Sequence, residues 1–263
     1  MLRQGHSAEE HADTEHSKGP HNQHCAALRL QPHTFNVGTC GPRHHNARVD
    51  SQTLDMFSRP ARETVIEGAV LLRQFAVPQV PQLLIDLEEV IRQAPLRHMV
   101  TPGGKRMSVA MTNCGALGWV TDARGYRYQA TDPLSNLNWP AMPNSFRELA
   151  SRAATEAGFT TFVPDACLVN QYFAKTQMTL HQDKNEKDFT QPIVSVSLGL
   201  PATFLFGGFE RSDKAQRVAL QHGDVVIWGA AARLRFHGIL SLKPGSHALL
   251  GPRRINLTFR KAG

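Results

Sequence analysis

The amino-acid sequence predicts an α+β fold whose C-terminal half is a β-sandwich or jelly roll, and three observations carry this reading. Residues 80–94 hold a helical hydrophobic period, a second helix is signalled near 145–157, and beyond Gly158 short β-rich runs recur between Gly, Pro and Asp. In the first, Leu83, Leu84, Leu87, Val90 and Ile91 share one face and Pro95 follows as a stop. The second is expected to open at the capping box Ser145-Phe146-Arg147-Glu148, to bury Phe146, Leu149 and Ala153, and to end before Gly158. Between them, 99–142 is rich in Gly, Thr, Asn and Pro and carries the aromatics Trp119, Tyr126 and Tyr128. A stretch that long is more than a connection, so it reads as a functional lid. The expected strands are 166–173, 192–200, 202–206, 216–220, 223–229 and 254–260. Several strands at such spacing suit a sandwich or jelly roll.

Residues 1–55 read differently. They hold eight of the thirteen histidines, little aliphatic content and no sustained period. Such a segment buries too little apolar surface to offset its ordering entropy, so it is expected to be a disordered His-rich tail to a folded domain at 56–263. The tail holds five Lys/Arg against six Asp/Glu, so the remainder, with 24 basic and 16 acidic groups, carries +8. A basic folded part suits a polyanionic partner. No apolar run approaches the ~20 residues that span a bilayer, and the first thirty residues show neither a secretory nor a transit signal. Cys25, Cys40, Cys114 and Cys167 are too few and too scattered for a disulfide framework or a metal knuckle, so a reducing cytoplasm is the simplest compartment.

The chemistry gathers in the C-terminal half. In Leu180-His181-Gln182-Asp183, an extended backbone points imidazole and carboxylate to the same side, where they can grip one ion. Taken alone, His-x-Asp is common and usually a solvated loop. His237, in Arg-Phe-His-Gly-Ile, could complete two histidines and one carboxylate, the facial triad of non-haem iron oxygenases. Taken alone, a histidine beside Phe and Ile is usually a core residue.

The C-terminal run Arg254-Ile-Asn256-Leu-Thr258-Phe-Arg260 alternates strictly, with every polar side chain on one face. One reading is an edge strand with a solvated polar face. The other is a cleft for a dicarboxylate, because two guanidinium groups bind carboxylates bidentately and keep their charge. Asn170-Gln171-Tyr172 repeats the pattern with an amide and a phenol on one face.

His181-x-Asp183, His237 and Arg254-x-Asn256-x-x-x-Arg260 together resemble the signature of the AlkB family of 2-oxoglutarate dioxygenases. Stretches outside the signature, such as Val100-Thr-Pro-Gly-Gly104, Met107–Gly115, Pro164–Leu168 and Ile193–Pro201, are similar to bacterial members nearly residue for residue. The likeness runs from about Met56 to the end and leaves out the tail.

The resemblance implies a double-stranded β-helix (jelly-roll) core at about 164–263, flanking N-terminal helices and a nucleotide-recognition lid at about 99–142. It also implies Fe(II), 2-oxoglutarate and O2 as cofactor and cosubstrates. By the same resemblance His181, Asp183 and His237 hold the iron. Arg254 takes the distal carboxylate of 2-oxoglutarate, helped by Tyr172 and Asn256, while Arg260 and Asn170 serve the end near the metal. Trp119 and Tyr126 are lid residues, the tryptophan stacking on the target base opposite His181, and Arg211 contacts the nucleic acid. Two positions depart from the family pattern. Asn185 stands where bacterial members have an acid near the base, and Lys105 stands where an aromatic is expected in the lid.

The implied activity is oxidative removal of alkyl groups from bases such as 1-methyladenine and 3-methylcytosine in single- or double-stranded DNA, or in RNA, by a monomer without a membrane partner. Three rivals compete with it, one being a metal-sequestering protein that uses the histidine tail and would lose its activity with that tail. An oxygenase acting on protein or a small metabolite fits less well with the basic core and the lid aromatics. A nucleic-acid-binding module without catalysis would be marked by a missing ligand or arginine, and none is missing.

Overall fold

The computed structural model describes residues 61–263, and the stretch 1–55 discussed above lies outside them. In chain order, β1 (Arg62–Ile66) and β2 (Ala69–Leu72) precede α1 (Val80–Gln93), β3 (Ala110–Gly115), β4 (Gly118–Asp122), β5 (Gly125–Gln129) and α2 (Asn144–Glu156). The C-terminal half adds β6 (Ala166–Tyr172), β7 (Met178–His181), β8 (Ile193–Gly199), β9 (Ala202–Phe206) and β10 (Gln216–Leu220). It ends with β11 (Val225–Trp228), β12 (His237–Ile239) and β13 (Arg254–Arg260).

Seven strands form a large sheet in the order β1-β2-β11-β8-β13-β6-β3, and four form a smaller one, β10-β9-β12-β7. Every named pairing is antiparallel. Strand alternation sends the large sheet's side chains to two different places. Ile255, Leu257 and Phe259 of β13 join Val194, Val196 and Ile227 in a core with Leu83, Leu87 and Val90 of α1 and Phe146 and Leu149 of α2. The opposite face packs Trp228, Ile193 and Tyr172 against Phe204, Phe206 and Ile239 of the small sheet. Helices therefore cover one face, and the other closes on the second sheet as a jelly-roll core requires.

The first helix forms as its period predicts. Val80, Leu83, Leu87 and Val90 are buried, Pro81 falls in the first turn, and Ala94 turns extended (φ −131°, ψ 92°) ahead of Pro95. The second helix corrects the expected start. It opens one residue earlier, at Asn144, behind Pro143, with no side-chain cap. Ser145 therefore lies inside the first turn, and its hydroxyl donates to Asp86 Oδ2 of α1, tying the two helices together. A serine that finds a charged acceptor on a neighbouring helix gives up its local capping bond. The C-terminal end agrees with expectation, since Gly158 follows in a left-handed conformation (φ +96°).

The segment 99–142 is not lid throughout. Residues Ala110–Gly115 are β3, paired along their length with β6, and Thr112, Asn113 and Cys114 are buried. What stands apart from the two sheets is the β4–β5 hairpin with its flanking loops. The same pairing sets Cys114 directly opposite Cys167, both as buried free thiols. β13 likewise departs from the edge-strand reading, because it lies between β8 and β6 with all seven residues buried.

Candidate active site

Two short strands bring together histidines that lie 56 positions apart in sequence. β7 ends on His181, β12 begins on His237, and the two residues are direct partners across the antiparallel pair, with ring centroids 4.4 Å apart. Gly238 makes that approach feasible, since a Cβ there would sit 2.6 Å from the Met178 carbonyl oxygen. Each ring is held the same way. His181 Nδ1 meets the Thr179 carbonyl at 2.8 Å and His237 Nδ1 meets the Arg235 carbonyl at 3.0 Å. A carbonyl only accepts, so the proton resides on Nδ1 and each Nε2 offers a lone pair.

Asp183 closes the cluster, with Oδ1 3.8 Å from His181 Nε2 and Oδ2 3.7 Å from His237 Nε2. Ligand atoms of the three residues lie within 4.8 Å of one another. Burial raises the Asp183 pKa, but Arg260 and the two histidines outweigh it and hold the carboxyl well below the ordinary range. Burial and the neighbouring His181 push His237 down to about 3. The three groups thus offer one carboxylate and two imidazole nitrogens, a donor set that suits a divalent first-row metal such as iron(II). Arg260 braces the carboxylate through Nε (2.9 Å) and Nη2 (2.7 Å), both on Oδ2.

Beside this cluster a cavity runs between the sheets, lined by Asn170, Tyr172, Ser195, Phe204, Trp228, Arg254 and Asn256 along with His181 and His237. The alternating polar face of β13 thus looks into the protein. Arg254 is 1% exposed. Its Nη2 donates to Ser197 Oγ at 3.0 Å and its guanidinium sits 5.0 Å from the Tyr172 ring centroid, but Nε and Nη1 have no acceptor. The Asn170 carbonyl oxygen and the Trp228 indole N–H are also without partners. Unsatisfied polar atoms are rare in a folded interior, and here they share one cavity, so the lining fits a polar, anionic guest. Asn256 lines the same cavity and also ties neighbouring strands together. Its amide donates to Ser195 Oγ (2.8 Å) and the Val196 carbonyl (3.0 Å), and it accepts from Asn170 (3.3 Å) and Thr258 (2.9 Å).

The hairpin reaches the segment that follows Asp183. Trp119 on β4 stacks on Tyr126 on β5 at 5.7 Å, and its indole N–H reaches Asn185 Oδ1 at 3.4 Å. Its backbone is gripped at both ends by the buried Asn113, whose amide accepts from Trp119 N–H (2.9 Å) and donates to its carbonyl (3.0 Å). Arg211 is exposed, with its guanidinium 5.3 Å from the ring of Phe236, the neighbour of His237. Lys105 is exposed on the loop before β3.

The sequence reading overlooked Glu186 and Arg233, both buried. In a run of Lys, Asn, Glu, Lys and Asp, Glu186 looks like one more solvated charge. Yet it binds Arg233 Nη2 (3.1 Å), Arg260 Nε (3.4 Å) and the Tyr128 hydroxyl (2.7 Å). Only the spacing of three residues from Asp183, and the apolar neighbours of Arg233, hinted at this.

Comparison with known proteins agrees with this geometry. The 2OG-Fe(II) oxygenase superfamily matches residues 68–260. The alpha-ketoglutarate-dependent dioxygenase AlkB of Escherichia coli (strain K12) is 55% identical over 212 residues, 80% of this chain and 98% of that protein. A DNA N(6)-methyladenine demethylase, ALKBH1C of Arabidopsis thaliana, is 32% identical over 171 residues, 55% of this chain and 38% of that protein. The solved structure of OsALKBH1 superposes with a TM-score of 0.67 at 29% identity, covering 76% of this chain and 99% of that one. A jelly roll that sets two histidines and an aspartate beside a cavity with an unsatisfied arginine, matched along nearly the whole described chain, belongs to the AlkB family of Fe(II)- and 2-oxoglutarate-dependent dioxygenases.

Proposed function

We propose that this protein removes alkyl groups oxidatively from base nitrogens of DNA. The observation that carries the reading is the buried Arg254, without an acceptor on Nε and Nη1, in the same cavity as His181 and His237. A dicarboxylate held by that guanidinium extends toward the His181–Asp183–His237 cluster, so Arg254 binds the distal carboxylate and the three residues hold the metal. Iron(II), 2-oxoglutarate and O2, when bound, supply the oxidation, in which the cosubstrate becomes succinate and CO2 and one oxygen atom enters a C–H bond of the alkyl carbon.

The chain's own groups do the rest. Arg260 orients Asp183 through two charge-assisted bonds. Asn170 and Tyr172 line the cosubstrate side, and Asn256 keeps Asn170 in place. Trp119 and Tyr126 form the aromatic surface on which a base rests, Asn185 lies beside it, and Arg211 meets the phosphate backbone. A base stacked in a duplex cannot enter such a cavity, so it is flipped out or taken from a single strand. Once hydroxylated, the N–CH2OH group loses formaldehyde: the C–N bond pair returns to the ring nitrogen as the hydroxyl proton leaves to solvent. The basic folded part favours a polyanion. We infer a monomer working in the cytoplasm, with residues 56–263 as the catalytic domain and the β4–β5 hairpin at the centre of the lid. The test is formaldehyde release from a single-stranded oligonucleotide containing 3-methylcytosine, given iron(II) and 2-oxoglutarate. Absence of formaldehyde while a methylated peptide is turned over would move the protein to the rival oxygenase class.

A further inference from the structure

Within the small segment 183–186, three side chains leave in three directions. Asp183 faces the two histidines and Arg260, Asn185 meets the Trp119 indole, and Glu186 goes inward to Tyr128, Arg233 and Arg260. The inward group is unusual for its burial. Side-chain exposures of Glu186, Arg233, Arg260 and Asp183 are 2%, 3%, 7% and 11%. Two carboxylates against two guanidiniums make the cluster neutral, which is the condition for keeping four charges out of water. Arg233 also donates through Nη1 to the Asp183 carbonyl (2.8 Å) and through Nε to the Gln191 carbonyl (3.0 Å), so the segment's backbone is tied to the same cluster. Tyr128 is its only member on the hairpin, in direct register with Trp119 across β4–β5.

We propose that Glu186 and Tyr128 are positioning residues that register the base platform against the metal carboxylate. Trp119 and Asp183 sit on separate parts of the fold, and the target carbon reacts only if the base rests at the right height above the metal. The path Trp119–Tyr128–Glu186–Arg233–Asp183 fixes that height through one strand register, the charge-assisted Tyr128–Glu186 and Arg233–Glu186 hydrogen bonds, and the bond from Arg233 Nη1 to the Asp183 carbonyl, with Arg260 a longer-range ion pair to Glu186. The Trp119–Asn185 contact at 3.4 Å is too long to do so alone. This inference rests on the proposed assignment of Trp119 and Asp183 to base and metal.

Tyr128→Phe removes one hydroxyl and leaves the ring, so it tests the link with the fold kept. Two measurements are read on the full chain. The first is hydrogen exchange of backbone amides 118–129 in the protein with Mn(II) but no oligonucleotide, where loss of a bond to a buried carboxylate should speed exchange about tenfold or more. The second is formaldehyde released per succinate formed on a methylated oligonucleotide, which should fall at least threefold because the cosubstrate is consumed over a misplaced base. Glu186→Gln keeps the shape but leaves two guanidiniums facing one carboxylate. Mn(II) should then bind several-fold more weakly by calorimetry, since the excess positive charge lies beside the metal. Wild-type exchange in 118–129 of Tyr128→Phe, or faster exchange with an unchanged formaldehyde-to-succinate ratio, overturns the proposal. If the wild-type protein releases no formaldehyde, the functional reading fails, and the exchange and metal-binding results still decide whether the link exists.

Discussion

Replacing Arg254 by Met should make the ligand-free protein more stable and, at the same time, unable to hold its cosubstrate. Arg254 is 1% exposed, and of its three guanidinium nitrogens only Nη2 has an acceptor, the neutral Ser197 hydroxyl. Burial pulls its pKa below the ordinary arginine value, with Tyr172 acting in the other direction. A buried cation without a carboxylate partner weighs against the ligand-free fold. Apolar replacement of buried ionic groups at similar volume is commonly neutral or stabilising by about 1–4 kcal/mol. At roughly 2–4 °C per kcal/mol for a domain of this size, the melting temperature should rise by up to about 15 °C. Losing one partner of a buried charge pair costs about 2–5 kcal/mol of binding, so 2-oxoglutarate should bind at least ~30-fold more weakly. The assay is thermal unfolding with Mn(II), which blocks turnover, with and without 2-oxoglutarate. Wild-type protein should gain about 2.7 kcal/mol at a hundredfold excess over its Kd, and the variant, binding at least ~30-fold more weakly, at most about 0.9 kcal/mol at the same concentration. A variant that melts lower than wild type without cosubstrate, yet keeps the full 2-oxoglutarate-dependent rise, would falsify the idea that Arg254 is held in readiness for a carboxylate.

Other consequences can be checked with fewer measurements. Asp183→Ala should abolish both turnover and Mn(II) binding while the unfolding transition stays cooperative, because two imidazoles alone do not hold the facial geometry; calorimetry showing wild-type metal affinity would remove Asp183 from the ligand set. Asn185→Asp should raise kcat/KM for 3-methylcytosine relative to 3-methylthymine in matched single strands, since a carboxylate favours a cationic base and an amide carries no charge; an unchanged ratio means that Asn185 does not face the base. His222 accepts from Gly199 N–H through Nδ1 at 2.9 Å and lies 4.3 Å from the His247 ring, and burial followed by repulsion from His247 lowers its pKa. With the folded pKa below the unfolded value, the unfolded chain binds more protons on the acid side, so stability is lost as pH falls through about 6.5. His222→Asn should shallow that slope in urea titrations between pH 7 and 5, and an identical slope in wild type and variant would exclude the pair as its source.

Short-range patterns carried much of this protein. The period of 80–94 and Pro95 determined a helix with Leu83, Leu87 and Val90 inward, because helix geometry depends on neighbours three and four residues away. The alternation in 254–260 determined which residues of β13 share a face, and the residue types at 181, 183, 237 and 254 determined which chemistry to look for. Tertiary structure decided whether those faces met water. β13 became a central strand because β8 and β6 pair with its two edges, and nothing local to 254–260 encodes partners that far along the chain. Its polar face therefore lines a cavity, and Arg254 is left with a charge that awaits a partner. The same limit explains Ser145, whose pattern announces a cap but whose hydroxyl finds Asp86, and Ala110–Gly115, whose lid-like composition hides a strand that β6 recruits. It explains Glu186 most clearly. A charge in a charged run is solvated by default, and only the convergence of Arg233, Arg260 and Tyr128 from three other segments makes its burial affordable.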